Sequence, residues 1–563
     1  MVEQFTIDEW TVRPGQNSII RGTTVRRVEP RVMDLLAYLA RHPGEVLSHD
    51  QIIGKVWPHT YVSNSALQTA VSSLRKAFDD DPRKPAVLET IPKRGYRLIA
   101  RSSSVAQPVV AVLPFKDLTG SPNQDYLVDG ITDALISELG RIPSVRVVSR
   151  HSAMLYRDSK LLLPRIAAEL NAEYVVEGSA LKGDDELCLT AHVIDALADT
   201  HVWSGSYTVG RGRLLEMQRT VAQGIAGSVA GQSDHVVVPV AREMDPDAVT
   251  QYLLARFHWY KLDPAHFPRA LEYFEKAVEI APDFGAAHAG IADVWGAYGY
   301  WGLMPAAEAG ARVKAALDKA LLVDPDSPEV NMLLGAYHFF FEYDWDAAHR
   351  RLDRAIDLNP DLAHARLVSG LLHGTLRSPA ALDQIDHAKR LDPLNVAVML
   401  ARAMCLAGEE RFDELGAELE LMLEIEPSFG PAIELMAELA WTRGAKDATS
   451  WERRIWQADE ELAALFPKRV GSRDPGEALL ASAQLLEQRR QQSYVSPRII
   501  ARMYSLAGHP DSALDILEAA AAGKDLMQVD FVQLTPAFAA VRRHPRFASL
   551  ARRIGLPTSP VPA

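Results

Sequence analysis

The hydrophobic residues between Ser63 and Phe78 follow helical spacing. Leu67, Val71, Leu74 and Phe78 recur at i, i+4, i+7 and i+11, which predicts a helix that packs one face on a domain core. The opposite face carries five polar residues: Ser65, Gln68, Thr69, Ser72 and Lys76. Such a face fits the major groove of DNA, where glutamine can pair with adenine and lysine with guanine or phosphate. An amphipathic helix whose polar face meets only water has the same pattern.

A basic hairpin tip follows this helix. Lys93 and Arg94 lie between two alternating runs, VLET at 87–90 and YRLI at 96–99, which predict paired strands. Two cations at a tight turn are placed to bind DNA phosphates. The polar helix face and the basic hairpin together predict a small domain of the α+β class that binds DNA.

Charge is unevenly distributed along the 563 residues. The whole chain has a formal net charge of −13, but residues 1–100 hold 14 Lys and Arg against 11 Asp and Glu, a net charge of +3. Only this first part has a charge that suits a polyanion. We therefore expect contact with double-stranded DNA here and nowhere else in the chain.

Strand and helix patterns alternate between the two loose boundaries at 101–107 and 231–246. An apolar strand at 109–115 and a helix at 124–139 are followed by a strand at 145–149 and a helix at 164–171. Three further strands then come in quick succession, separated by turns at 182–185 and 198–199. This order predicts an α/β domain.

The rest of the chain is helical and repetitive. Prolines recur at Pro282, Pro325, Pro360, Pro393 and Pro427, and an alanine precedes each of the first four by five residues. A bulky apolar residue precedes that position by a further three residues. This is the signature of tetratricopeptide repeats, which predicts an all-α superhelix over 246–557 with a capping helix at its end.

Aromatic residues are concentrated in the first repeats. Residues 252–345 contain 18 of the 42 Phe, Tyr and Trp. Two interpretations are open, a groove that binds a protein or small-molecule ligand, or a stacking core of the repeats. The candidate groove residues are Tyr298, Trp301, Tyr337, Phe340 and Trp345.

The first domain resembles the winged-helix DNA-binding domain of the OmpR/PhoB family. The resemblance rests on GEVLSHDQIIGKVW at 44–57, NSALQTAVSSLRKAF at 64–78 and ETIPKRGYRLIA at 89–100. It implies that 63–78 is the recognition helix and that the loop at 57–62 contacts RNA polymerase. The domain order resembles that of CadC/ToxR/HilA-like regulators. Residues 109–209 resemble the TolB-N-terminal-like α/β domain, from which no catalytic residues are carried over.

The predicted organisation is a winged helix at 1–100, a linker at 101–107, an α/β domain at 108–235 and repeats at 246–557. We expect a cytoplasmic one-component transcription regulator in which two copies bind a repeated DNA site. No catalytic, metal or cofactor motif and no membrane-spanning run is recognised in the sequence. The alternative is a repeat scaffold that assembles partners and does not act primarily on DNA.

Overall fold

A computed structural model describes most of the chain, in seventeen segments. They are 5–8, 10–13, 18–21, 24–40, 46–56, 64–91, 94–100, 102–104, 108–118, 125–142, 144–157, 159–182, 186–210, 213–230, 244–261, 263–466 and 475–557. The chain forms two compact units, the first built around residues 1–109 and the second from most of the remainder.

The described part of the first unit contains seven short strands and three helices. The strands are β1 (Phe5–Ile7), β2 (Trp10–Arg13), β3 (Ser18–Arg21), β4 (Thr24–Arg27), β5 (Leu88–Ile91), β6 (Gly95–Leu98) and β7 (Ser102–Ser104). The helices are α1 (Pro30–Ala40), α2 (His49–Val56) and α3 (Asn64–Phe78). One sheet has the order β4-β3-β2-β1-β7, and β5 and β6 form a separate hairpin.

The core of this unit forms where the three helices turn their apolar faces inward. In α3 the residues Leu67, Val71, Leu74 and Phe78 are all buried, as their spacing predicts. The ring of Phe78 meets Trp10 of β2 edge to face, with centroids 5.6 Å apart. The helix is thereby fixed against the sheet, and its polar face points away from the core.

The second unit begins with an α/β region. Its strands are β8 (Val109–Val112), β9 (Lys116–Asp117), β10 (Arg146–Val147), β11 (Tyr174–Lys182), β12 (Glu186–Asp195) and β13 (Thr200–Gly210). Its helices are α4 (Asp125–Gly140), α5 (Arg150–Met154), α6 (Leu163–Glu169) and α7 (Leu214–Ala230). The sheet order is β10-β8-β11-β12-β13, and β9 also pairs with β11. The strands β8 and β9 run parallel to β11. The strands β11, β12 and β13 form an antiparallel meander.

Helical pairs make up the remainder of the second unit. They are α8 (Pro246–Trp259), α9 (Phe267–Ile280), α10 (Gly285–Tyr300), α11 (Ala306–Val323), α12 (Pro328–Tyr337), α13 (Trp345–Leu358), α14 (Ala363–Thr375), α15 (Ala381–Leu391), α16 (Val396–Gly408), α17 (Phe412–Ile425), α18 (Gly430–Thr442) and α19 (Ala448–Ile455). They continue with α20 (Glu460–Leu465), α21 (Pro475–Arg490), α22 (Pro497–Leu506), α23 (Pro510–Ala522), α24 (Val529–Leu534), α25 (Ala539–Arg543) and α26 (Pro545–Arg553).

The repeat marks in the sequence fall at the tight helix crossings. Each marked proline stands just before the first helix of the next pair, and the four marked alanines are fully buried. At one crossing, a Cβ added to Gly370 would lie 2.3 Å from the side chain of Ile385. The predicted order of winged helix, α/β domain and repeat helices is confirmed.

The α/β region and the repeats are joined by buried polar contacts. The hydroxyl of Tyr260 in α8 donates to Asp133 in α4 at 2.7 Å. The hydroxyl of Ser152 in α5 donates to Asp392, which follows α15, at 2.6 Å. Hydrogen-bonded carboxylates at a buried contact fix the two parts in one arrangement.

The chain's own segment 525–557 packs against the repeats. Val529 to Phe538 are ten consecutive buried residues, and α24 contacts α14 and α16. Leu534 packs tightly on the repeats, because a Cβ on Gly408 would lie 2.8 Å from its side chain. Three aromatic residues of the repeats donate hydrogen bonds to this segment. The hydroxyl of Tyr300 donates to Asp530 at 3.1 Å, and that of Tyr343 donates to the carbonyl of Leu526 at 2.9 Å. The indole N–H of Trp345 donates to the carbonyl of Ile554 at 3.0 Å.

No helix among the described residues is long and apolar enough to cross a membrane. No three His, Cys, Asp or Glu side chains among them are grouped so that they could hold a metal ion.

Candidate DNA-binding surface

The polar face of α3 is presented to solvent. Gln68, Thr69, Ser72 and Lys76 are all exposed, while the hydrophobic residues between them are buried. Ser65 lies in the first turn of the same helix, and its side chain is outside the described residues. The structure thus brings four of the five predicted residues onto one surface, with side chains short or flexible enough to approach base edges.

Arg26 of β4 fixes the C-terminal end of α3. Its guanidinium donates to the carbonyls of Lys76 at 3.2 Å and Ala77 at 3.0 Å, and to the carboxylate of Asp79 at 2.8 Å. Asp79 has a φ of +56°, so the helix ends there in the left-handed conformation. The hydrogen bond from Arg26 lowers the pKa of Asp79 below its usual value.

Arg75 and Asp80 connect α3 to the hairpin, and the sequence analysis did not identify them. The guanidinium of Arg75 donates to the carbonyl of Leu88 at 3.0 Å and to the hydroxyl of Thr90 at 2.8 Å, both in β5. The buried carboxylate of Asp80 accepts three backbone N–H groups, from Ala86, Val87 and Leu88, at 2.7, 3.1 and 3.0 Å. These bonds set the distance between the helix and the hairpin.

The hairpin itself is held by a glycine. Tyr96 exchanges both backbone hydrogen bonds with Leu47, at 2.9 and 3.0 Å. Gly95 has a φ of +144°, and a Cβ there would lie 1.9 Å from the carbonyl oxygen of Leu47. Only glycine fits this close approach. Arg94 is exposed in the turn, where its N–H donates to Ile91 at 3.0 Å, and Lys93 lies outside the described residues.

A polar cleft of about 390 Å³ lies between α3 and the hairpin. It is lined by Gln68, Val71, Ser72, Arg75, Lys76, Asp80, Pro82 and Tyr96. Predicted base-contacting residues and the residues that position the hairpin therefore line one cleft. The arrangement can present polar groups to base edges and a cation to the neighbouring phosphate backbone.

Most of the candidate groove residues in the repeats are less exposed than the polar residues of α3. Tyr337 and Phe340 are buried, Tyr298 and Trp345 are half-buried, and Trp301 is 38% exposed. They contact other aromatic rings. The ring centroids of Tyr298 and Phe267 are 5.5 Å apart, and those of Phe340 and Tyr300 are 5.1 Å apart. This burial favours the stacking-core interpretation, and ligand binding at these residues stays a prediction. The loop at 57–62, predicted to contact RNA polymerase, is outside the described residues.

The surface described above coincides with a match to a known family. Residues 23–98 match the family model described as "Transcriptional regulatory protein, C terminal". The first domain is a DNA-binding domain of the OmpR/PhoB type. The family match includes α3, the hairpin and the residues that connect them, and it agrees with the resemblance inferred from the sequence.

Curated relatives are similar to parts of the chain. The transcriptional activator CadC of Escherichia coli is 43% identical over 94 residues, 16% of this chain and 18% of its own length. A protein of Rhizobium meliloti named "Putative adenylate cyclase 3" is 27% identical over 191 residues, 33% of this chain and 32% of its own length. The chain thus spans less than a third of either relative.

Solved DNA-binding domains are similar to the first domain of this chain. The DNA-binding domain of E. coli CadC is 38% identical, covers 18% of this chain and 97% of the solved chain, and gives a TM-score of 0.18.

Proposed function

We propose that the protein is a cytoplasmic one-component transcription regulator that binds double-stranded DNA in a sequence-specific manner. The observation that carries the proposal is the exposed polar face of α3, fixed beside the basic hairpin by Arg75 and Asp80. The OmpR/PhoB-type domain at 23–98 supports it independently. The proposal assigns no catalytic step to the chain.

The two contact elements have separate roles. Ser65, Gln68, Thr69, Ser72 and Lys76 face the bases in the major groove, and Lys93 and Arg94 bind phosphate. One winged helix offers few contacts, so two copies bind a repeated site. The α/β region and the repeats sense a ligand or recruit a partner, and RNA polymerase is a candidate partner of the first domain.

The test of sequence specificity is selection from random DNA. The full chain is incubated with a random duplex library at moderate salt, and bound DNA is recovered and sequenced over several rounds. We expect one enriched motif, arranged as two copies at a fixed spacing. Recovery of DNA without an enriched motif would contradict sequence-specific binding, and no recovery at low salt would contradict DNA binding altogether.

The hairpin is tested through the salt dependence of binding to the selected site. Lys93→Ala combined with Arg94→Ala should weaken binding to all sequences and reduce the slope of log K against log salt by about 2 per bound domain. Lys319→Ala combined with Arg350→Ala removes the same charges from exposed positions on α11 and α13 and serves as the matched control. Equal slopes for both double variants would contradict the role given to the hairpin.

A further inference from the structure

The outer edge of β13 is an unpaired strand edge of unusual length. This eleven-residue strand pairs with β12 on one side, and no backbone group within the described segments pairs with its other side. In antiparallel pairing alternate residues turn their N–H and C=O groups to opposite sides. About five residues of β13 therefore present backbone donors and acceptors outward.

The other sheet ends in the described structure are short, and one also carries arginines. β4 has four residues and includes Arg26 and Arg27, β5 and β6 have four residues each, β7 has three and β10 has two. Natural edge strands avoid pairing with other chains by being short or by carrying charge or proline. The sequence of β13, THVWSGSYTVG, has no Lys, Arg, Asp, Glu or Pro. The ladder of β13 with β12 has one register shift, at Val202, and the regular stretch from Trp203 to Gly210 carries no charge, proline or bulge.

We propose that β13 pairs with β13 of a second copy of this chain, antiparallel and centred on Gly205, to form a dimer with one continuous sheet. Gly205 is the midpoint of Thr200–Gly210. The ladder with β12 shifts its register at Val202, so the regular part of the proposed pairing runs from Trp203 to Tyr207, on both sides of Gly205. A two-fold axis perpendicular to the sheet through this point keeps the helix-covered faces of both copies on the same side.

The register is self-complementary on the helix-covered face. Trp203 and Tyr207 are both half-buried, and a Cβ on Gly224 of α7 would lie 2.7 Å from the indole of Trp203. Centring on Gly205 places Trp203 opposite the partner's Tyr207, and the reverse pair forms by symmetry. Aromatic cross-strand pairs stabilise antiparallel strands. The exposed parts of both rings become covered.

The open face of the sheet is equally compatible with self-pairing. Ser204 and Ser206 are exposed there and contact β12, Ser204 with His192 at 2.8 Å and Ser206 with Thr190 at 3.4 Å. In the proposed register Ser204 lies opposite the partner's Ser206. Small neutral side chains meet at these positions, so no like charges are opposed.

The rings of Trp203 and Tyr207 are positioned before any pairing takes place. Both side chains lie over Gly205, where a Cβ would come within 2.6 and 2.8 Å of them. The glycine therefore lets the two aromatic residues occupy the face next to the centre of the strand. A substitution at Gly205 would disturb the monomer, so the test uses Ser204 and Ser206 instead.

The dimer deepens the proposed function, which needs two copies on DNA, but it is measured without DNA. The mass of the full chain is determined by light scattering and sedimentation from about 1 to 50 micromolar. The wild type should be dimeric. Ser204→Lys with Ser206→Lys opposes two lysine pairs and should raise the dimer dissociation constant about tenfold or more.

The matched variant is Ser204→Lys with Ser206→Glu. It loses the same contacts to β12, but the proposed register places each lysine opposite the partner's glutamate, so the dimer should form as in the wild type. Equal far-ultraviolet circular dichroism and equal unfolding temperatures show that both variants fold. A monomeric wild type, two equally dimeric variants, or two equally monomeric variants would each overturn the proposal.

Binding of DNA separates this proposal from the proposed function. The Lys/Lys variant should still bind a single half-site of the selected DNA with the wild-type affinity, because its substitutions are outside the first unit. A chain that dimerises through β13 but never binds DNA would contradict the proposed function alone. A chain that binds selected DNA but stays monomeric at all concentrations would contradict the dimer alone.

Discussion

The helix α3 and the aromatic cluster of the first repeats both carry side chains suited to ligand binding, but the two sets of side chains differ in exposure. The polar residues of α3 are exposed, whereas Tyr337 and Phe340 are buried. The polar face of α3 lies outside the core and is accessible to a partner. Aromatic residues are equally useful in a core, so their number alone does not separate the two uses.

The largest expected effect tests whether the surface of α3 depends on buried anchors. Asp80→Ala leaves the N–H groups of Ala86, Val87 and Leu88 without their acceptor, and should destabilise the first domain by about 3–5 kcal/mol. Hydrogen exchange of the β5 amides reports this directly. Asp81→Ala is the control, because Asp81 is exposed and accepts a single N–H, from Arg83. Equal exchange in both variants would contradict the anchoring role.

The next prediction concerns the segment that packs against the repeats. Leu534→Ala opens a cavity where the side chain approaches Gly374 and Gly408, and should cost about 3 kcal/mol. Thermal unfolding of the second unit measures the loss. Leu322→Ala, at a position 87% exposed, should change the same transition by less than about 0.5 kcal/mol. If the two variants unfold alike, the segment is not part of the core.

A smaller effect is expected from the pH dependence of stability at Asp530, which lies in the segment 525–557. Burial raises the pKa of Asp530 to about 6, above its ordinary value of 3.8. Between about pH 4 and pH 6 Asp530 therefore keeps its proton in the folded protein but loses it in the unfolded chain. Its contribution to the free energy of unfolding falls as the pH rises through this range. Asp530→Asn removes the buried charge and should stabilise the protein at pH 7.5 by about 2 kcal/mol.

The measurement for Asp530 compares unfolding free energies at pH 5 and pH 7.5. Asp530→Asn should gain more at pH 7.5 than at pH 5, whereas Asp357→Asn, at an exposed position, should follow the wild type at both. A gain of equal size at the two pH values would show that packing, not titration, causes it.

The helices and strands of the first domain and of the repeats were predictable, because the sequence patterns that indicate them span only neighbouring residues. Helical spacing predicted α3, strand alternation predicted the hairpin, and the proline and alanine positions predicted the repeat helices. Arg75 and Asp80 were not predicted, since their partners in 86–90 are brought to them only by the fold. The residues 529–538 were missed for the same reason: their sequence, VDFVQLTPAF, shows no period that identifies the surface they cover.

The sequence also did not decide between the two uses of the aromatic cluster. The ring centroids of Phe340 and Tyr300 are 5.1 Å apart. The hydroxyl of Tyr300 donates a hydrogen bond to Asp530, which is 230 residues further along the chain. No spacing rule relates such distant positions. By contrast, the residues on the polar face of α3 are only three or four positions apart, so helical geometry places them together.

The most direct test of the account is binding by Gln68→Ala to every single-base-pair variant of the selected DNA. If Gln68 reads a base, the variant should lose roughly 1–3 kcal/mol on the selected sequence and should no longer discriminate at one base-pair position per half-site. Gln484→Ala, at an exposed position on α21, should leave the whole profile unchanged. An equal loss by Gln68→Ala on all variants, with discrimination retained everywhere, would contradict base reading by the face of α3.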